Sequence, residues 1–342
     1  KLTEGTDYEL YEGETKLDGT KYSKKNVGTH TVTVKGIGGY AKKDDSWADT
    51  ETSWTITQAT KTVDFGVETK RVIYGTANNT YSDVTAALSG NLGTDTLAAL
   101  KYTSSVSDVA TVNEKTGEVT ILKVGTTTIT ATSENELNYA EAKDSYTLEV
   151  TAQDIAGTAI TVADITAPTY NGGEQKKEPT VTDTNRNNTE LVKDTDYTLS
   201  WSNHVNAGTA TVTITGKGNY NGTTTKEFTI NPKSMADSVT TITVAPVADQ
   251  GYTGKQITPK ITVNDTETGK LLVENVDYTL TYGDNIVVGE DKGSITITGM
   301  GNYDTETNRT VTFNITNTGS FTITPTTQTA VYTGGDITNT FT

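Results

Sequence analysis

The chain has 342 residues, a formal net charge of −16, a pI near 4.6, 33% hydrophobic residues, no Cys and 75 Thr. So acidic a chain excludes nucleic acid as a partner, because that binding rests on neutralising phosphates with Lys and Arg, and it disfavours anionic membrane surfaces. Without Cys there is no disulfide framework, and no apolar stretch is long enough to read as a membrane span, so no membrane insertion is expected within these residues.

Thr with Val, Ile and Tyr is the vocabulary of strands, whose pleated surface suits β-branched and aromatic side chains. Residues 1 to 60 read as the later strands of one small domain. Asp7-Tyr8-Glu9-Leu10 opens it, Thr31-Val32-Thr33-Val34 alternates, Gly36-Ile37-Gly38-Gly39-Tyr40 turns, and Trp54-Thr55-Ile56-Thr57 closes. Residues 61 to 152 form a different module. Its run from Ser104 to Val112, the turn Glu114-Lys115-Thr116-Gly117, and the strands Glu118–Ile121 and Val124–Thr132 predict a Gly-tipped hairpin followed by a further strand.

Residues 153 to 232 and 233 to 318 repeat the opening pattern in full. Each has an opener (Tyr170-Asn171-Gly172; Tyr252-Thr253-Gly254) and an Asp-Tyr-Thr-Leu strand (from Asp196; from Asp277). Each then has a Gly tetrad closing on Tyr (Gly216 to Tyr220; Gly299 to Tyr303) and a last strand (Phe228-Thr229-Ile230; Phe313-Asn314-Ile315). Tyr170 and Tyr252 stand 82 residues apart, and Tyr332 comes 80 residues later. A fixed period of that size with about seven short strands per unit is an all-β array of tandem Ig-like sandwiches, expected to be elongated.

Two stretches carry a family resemblance. The run SSVSDVATVNEKTGEVTILKVGTTTITATS, residues 104 to 133, resembles the bacterial immunoglobulin-like group 2 domain of surface adhesins. The pattern YNG…DYTLSWSNHVNAGTATVTITGKGNYNGTTTKEFTI is similar to repeats of large cell-wall-attached proteins of Gram-positive (Firmicutes) bacteria. The resemblance implies an extracellular, cell-surface or cell-wall role as a structural or adhesive stalk segment. A noncatalytic carbohydrate-binding or spacer region of a secreted polysaccharide-active enzyme is the alternative.

No catalytic, cofactor-binding or metal site is expected, and the chain reads as no enzyme: there is no Ser/His/Asp arrangement and no Cys/His ligand set. The two histidines, His30 and His204, read as surface residues at equivalent places before a Thr-Val-Thr strand. Ca2+ is the one cation weighed, at Asp44 to Glu51 and Asn264 to Gly269, but neither stretch has the twelve-residue loop pattern and both read as solvated loop tips. The tetrad glycines read as turns of positive φ, and each tetrad Tyr as a packing anchor with its hydroxyl on backbone, as in a tyrosine corner. Trp47 and Trp201 are the candidates for stacking on a glycan. Lys176 or Lys177 with Asn231, and Lys255 or Lys260 with Asn314, are candidates for an isopeptide bond.

Residues 319 to 342 read as the first strand of a further repeat. Ala330-Val331-Tyr332-Thr333-Gly334 matches Gly251-Tyr252-Thr253-Gly254, and Lys1 to Tyr8 matches the stretch downstream of such an opener, so the first sandwich reads as lacking its first strand. Head-to-tail self-association by strand complementation, residues 330 to 342 of one molecule filling the groove of the next, is the expectation set against an arbitrary cut in a longer array.

Overall fold

The computed structural model describes residues 1–18, 23–41, 49–90, 97–317, 319, 331 and 334–335. Among these it holds 28 strands and three short 3-10 turns, so the chain is all-β, a tandem array of Ig-like sandwich repeats. Contacts divide it into two compact units. The first comprises Lys1–Ala163, Pro179–Ser200 and Thr213–Lys226; the second comprises Asp164–Glu178, Trp201–Val212 and Glu227–Thr342. Residues 153 to 232 are therefore shared between the two.

In the first unit the N-terminal segment makes one antiparallel sheet in the order Thr15–Lys16, Tyr8–Glu12, Gly28–Gly36, Thr50–Ile56. Next comes the module from residue 61. Thr69–Ile73, Ala142–Thr151, Gly125–Ser133 and Lys101–Ser104 form one sheet, and Ala110–Val112, Val119–Ile121 and Thr80–Tyr81 form another. The expected hairpin is present: Asn113 Oδ1 accepts from the Lys115 and Thr116 amides, both at 3.0 Å, and Ala110–Val112 pairs antiparallel with Val119–Ile121. Alternation sets the core. Thr127, Ile129, Ala131 and Ser133 all point inward from one strand. Phe65 meets Tyr146 edge-on at 4.8 Å between ring centres, and the Tyr146 and Tyr81 hydroxyls lie 2.9 Å apart.

The second unit contains the repeat from residue 233 as a two-layer sandwich. One layer is Ile242–Val244, Val263–Asp265, Lys270–Leu271; the other is Gln250–Gly251, Asn308–Thr316, Gly289–Gly299, Tyr278–Tyr282. Ile242, Val263 and Leu272 face Ile297 and Tyr303 in one core, while Ile295, Phe313 and Ile315 pack into a second. Each such buried side chain contributes about 1.5–3 kcal/mol. The outward face is laddered with hydroxyls, Thr296 Oγ1 standing 3.2 Å from Thr310 Oγ1, which is where so much Thr finds its use. Arg309 anchors the loop ahead of Ile242, donating to the Ala236 and Val239 carbonyls at 2.8 and 2.9 Å and to the Ile242 carbonyl. Four strands precede the Asp-Tyr strand in this repeat, whereas in the N-terminal segment Tyr8–Glu12 is itself the first strand.

The Asn-Tyr corners as candidate functional site

Each complete repeat turns at its Gly tetrad, and the four residues have divided tasks. A Cβ on the first glycine would lie 2.7 Å from Asn221 N at Gly216 and 2.5 Å from Asp304 O at Gly299, so close backbone approach demands glycine there. The third residue supplies the positive φ, +66° at Gly218 and +62° at Gly301. The expectation of positive φ therefore holds for one glycine of each pair and not for the other.

The turn delivers a Tyr to the core: Tyr220 is 2% exposed and Tyr303 1%. Their hydroxyls do not end on backbone, as the tyrosine-corner reading expected. Tyr220 donates to Asp183 Oδ2 at 3.0 Å and Tyr303 to Asp265 Oδ2 at 3.1 Å. Burial, with the facing carboxylate, pushes both phenols well above the ordinary tyrosine range. Tyr40, the corresponding residue of the N-terminal segment, is 48% exposed.

Both aspartates are fully buried at the inward end of a three-residue strand, Val181–Asp183 and Val263–Asp265. A buried carboxylate needs partners, and each has them. Asp265 Oδ1 accepts from Lys233 Nζ at 2.6 Å and from the Glu267 amide at 3.1 Å, and Lys233 also meets Glu267 Oε2 at 2.7 Å. Burial alone would raise the Asp265 carboxyl, but the Lys233 ammonium, the Thr268 amide and the Tyr303 hydroxyl outweigh it and hold it below the usual carboxylate range. Asp183 accepts from Gln153 Nε2 at 3.2 Å and the Asn185 amide at 2.9 Å.

Gln153 and Lys233 are linker residues, and their backbones make the junction. The Gln153 amide donates to Asn219 O at 3.0 Å, and Ile155 N to Asn221 O at 2.9 Å. Likewise Lys233 N donates to Asn302 O at 2.9 Å, while Lys233 O accepts from Asp304 N at 2.8 Å. A third linker residue, Ala59, does the same with Asn138 O and Ala140 N at 2.9 and 3.1 Å. Each linker thus adds as a short parallel bridge to an Asn-Tyr corner of the following repeat (Asn138-Tyr139, Asn219-Tyr220, Asn302-Tyr303).

The corner Asn then reaches backwards. Asn138 Oδ1 accepts from Val27 N at 3.0 Å, Asn219 Oδ1 from Val124 N at 2.9 Å, and Asn302 Oδ1 from Ala207 N at 2.8 Å. Each donor immediately precedes the Gly that opens a long strand (Gly28, Gly125, Gly208). Two corners also stack an aromatic ring of the preceding repeat on their own: Tyr74 lies edge-on to Tyr220 at 5.7 Å and Tyr170 edge-on to Tyr303 at 5.8 Å. Arg186 lies over Tyr74 at 5.0 Å from the ring centre. One device, built from a linker amide, an Asn side chain and a Tyr, therefore occurs three times.

The residues singled out from sequence fall elsewhere or take other parts. Asp265 is buried on Lys233 and is no solvated tip, whereas Glu267, which pairs with the same ammonium, stays half-exposed. His30 lies inside strand Gly28–Gly36 with Nε2 2.9 Å from Asn26 O, whereas His204 lies in the loop before Gly208–Gly216; aligning Gly28 with Gly208 shows that the two are not equivalent. His204 Nε2 stands 3.4 Å from Glu174 Oε1, an ion-pair distance without hydrogen-bond geometry. Trp201 donates its indole N–H to Lys177 O at 2.9 Å and packs against the Tyr170 core, leaving one edge in a 610 Å3 cleft with Asn203, His204 and Asn206. Lys176 pairs with Glu174 at 2.7 Å, and Asn314 donates to Asp249 at 3.0 Å. Trp47 and most of the acidic stretch from Asp44 lie outside the described residues, as does the 330 to 342 segment except Val331, Gly334 and Gly335. Sequence reasoning missed the corner Asn and the buried Asp. The signal for the Asn was its return before Tyr139, Tyr220 and Tyr303 in otherwise different modules.

No protein-family model matches the chain, and no curated protein matches it. Solved structures similar to it include Sidekick-1 immunoglobulin domains 1-5, at 10% identity and TM-score 0.23 over 91% of this chain and 72% of that one. Surface layer protein SbsC domains 1-6 is similar at 15% identity and TM-score 0.21, over 92% of this chain and 50% of that one, so the chain spans half of that structure's length. Drosophila N-cadherin EC1-4 is similar at 8% identity and TM-score 0.23, over 93% and 94%. Likenesses at such scores carry no functional weight.

Proposed function

We propose that the chain is a noncatalytic structural or adhesive segment of a bacterial cell-surface protein, acting outside the cell as a series of Ig-like repeats joined through Asn-Tyr corners. The observation that supports this most is the threefold recurrence of the corner, with the same three hydrogen-bonding atoms each time. A flexible spacer has no need of it, since a polar linker alone connects domains. A series under tension does, because each corner sets hydrogen bonds, and two of the three a buried aromatic pair, against separation of neighbours. The acidic surface keeps such a chain soluble and self-repelling. The test is protease treatment of intact cells bearing the parent protein. Release of peptides from this chain supports a surface location, and their confinement to the cytoplasmic fraction contradicts it.

Glycan binding is the second reading, favoured by the cleft beside Trp201 and His204. A glycan array on which the chain binds and Trp201→Ala does not would establish it; no binding by the full chain removes it.

A further inference from the structure

We infer that the exposed corner formed by Tyr252 and the loop Ile286-Val287-Val288 is a docking surface for the Asn-Tyr corner of one more Ig-like repeat. The inference stands on the junction geometry and is independent of where the protein resides.

Position by position, the last repeat carries the same receiving half as the repeats before it. The donor amides at the three junctions belong to Val27, Val124 and Ala207, each directly ahead of the Gly that starts a long strand. In the repeat from residue 233 that place is taken by Val288, directly ahead of Gly289. The stacking tyrosines are Tyr74 and Tyr170, whose amides donate to Thr151 O and Asn231 O at 2.9 and 2.8 Å. Tyr252 repeats this bond, donating to Thr316 O at 2.8 Å.

Burial separates the filled positions from the open one. Tyr74 and Tyr170 are 5% and 6% exposed beneath their partner rings, whereas Tyr252 is 46% exposed. Val27, Val124 and Ala207 are half-buried, whereas Val288 is 44% exposed. The residues ahead of the donor are exposed at filled junctions as well (Leu122 47%, Val205 37%), so Ile286 and Val287, 46% and 58% exposed, extend the apolar surface without themselves marking it as open. Three consecutive apolar residues beside an open tyrosine form a patch that a partner is expected to cover. The filled junctions show what covers it: at all three an Asn whose side-chain oxygen takes the amide equivalent to that of Val288, and at two of them a Tyr whose ring meets the equivalent of Tyr252 edge-on.

A second copy of these residues does not supply that corner. Asn138, Asn219 and Asn302 are all engaged within their own chain, and the N-terminal tetrad has Gly39 where the others have Asn. The occupant is therefore a repeat entered through the segment after Asn317, and the sequence already carries such a repeat's opener at Val331-Tyr332-Thr333-Gly334.

The test replaces residues 318 to 342 with a second copy of residues 233 to 317, which places a new Lys233 where the linker residue belongs. Amide exchange is then read at Val288. Docking is expected to slow it by about tenfold or more, and Asn302→Ala in the added copy alone is expected to restore it. A parallel extension with residues 153 to 232, bringing Asn219 as the corner, is expected to give the same result and covers the case of one copy failing to fold. Unchanged Val288 exchange beneath a folded added repeat overturns the inference. Protection of Val288 that rises with concentration in the unextended chain also overturns it, because the occupant would then be a second copy.

Discussion

Asp265 sits fully buried between an ammonium and a phenol, and its repeat equivalent Asp183 sits between a carboxamide and a phenol. The pair shows how one position tolerates a charged or a neutral linker side chain provided the carboxylate stays satisfied. Removing Asp265 strands the buried Lys233 with only the half-exposed Glu267, so Asp265→Ala is expected to cost about 3 kcal/mol or more. Asp183→Ala strands neutral donors and is expected to cost about 1–3 kcal/mol. Lys233→Gln rebuilds the Gln153 arrangement and is expected to cost about 1 kcal/mol, the worth of an ordinary hydrogen bond; urea midpoints of the three variants give the order. Acid separates them further. The folded Asp265 carboxyl lies below its ordinary value, so its contribution is present above about pH 4 and is lost as pH falls through the folded value. Unfolding free energies measured from about pH 6 to about pH 2 should show Asp265→Asn losing less than the wild type. None of this was legible in the sequence, where Asp265 reads as one acid among several in Asn264-Asp265-Thr266-Glu267. Acidity gives no hint of burial. Only its recurrence 82 residues after Asp183, at the end of the same Val-x-Asp strand, sets it apart.

At the scale of elements the alternation of apolar residues with Thr was a reliable guide. The burial pattern of Gly289–Gly299 and Gly125–Ser133 follows the period of two residue for residue over their inward stretches. Turns were less legible, because a glycine in a sequence does not say whether it serves a dihedral angle or a close approach. The tetrad uses both, and the two kinds should be separable by substitution. Gly301→Ala meets a positive φ and is expected to cost about 1–2 kcal/mol. Gly299→Ala drives a methyl against the Tyr303 and Asp304 backbone, which cannot yield, and is expected to cost more. Thermal denaturation of the two variants decides the order; equal losses would mean that the turn relaxes. The histidine misalignment has the same root. Spacing to the next Thr-rich strand put His30 and His204 together, while the structural landmark is the Gly that opens the strand.

For the molecule as a whole, the period of about 80 residues was readable from length and repetition alone, since small sandwiches each need their own core. How neighbours are joined was not, because the joining atoms are one linker amide, one Asn oxygen and one backbone N–H, none of which alters composition. Serial coupling through these corners is the central claim. Amide exchange at Val124 and Ala207 in the full chain, wild type against Asn219→Ala and Asn302→Ala, tests it most directly. Each substitution is expected to speed exchange by about tenfold or more at its own partner amide, Val124 for Asn219 and Ala207 for Asn302, and to leave the other unchanged. Rapid exchange at both amides in the wild type, or rates indifferent to the loss of Asn, would contradict it.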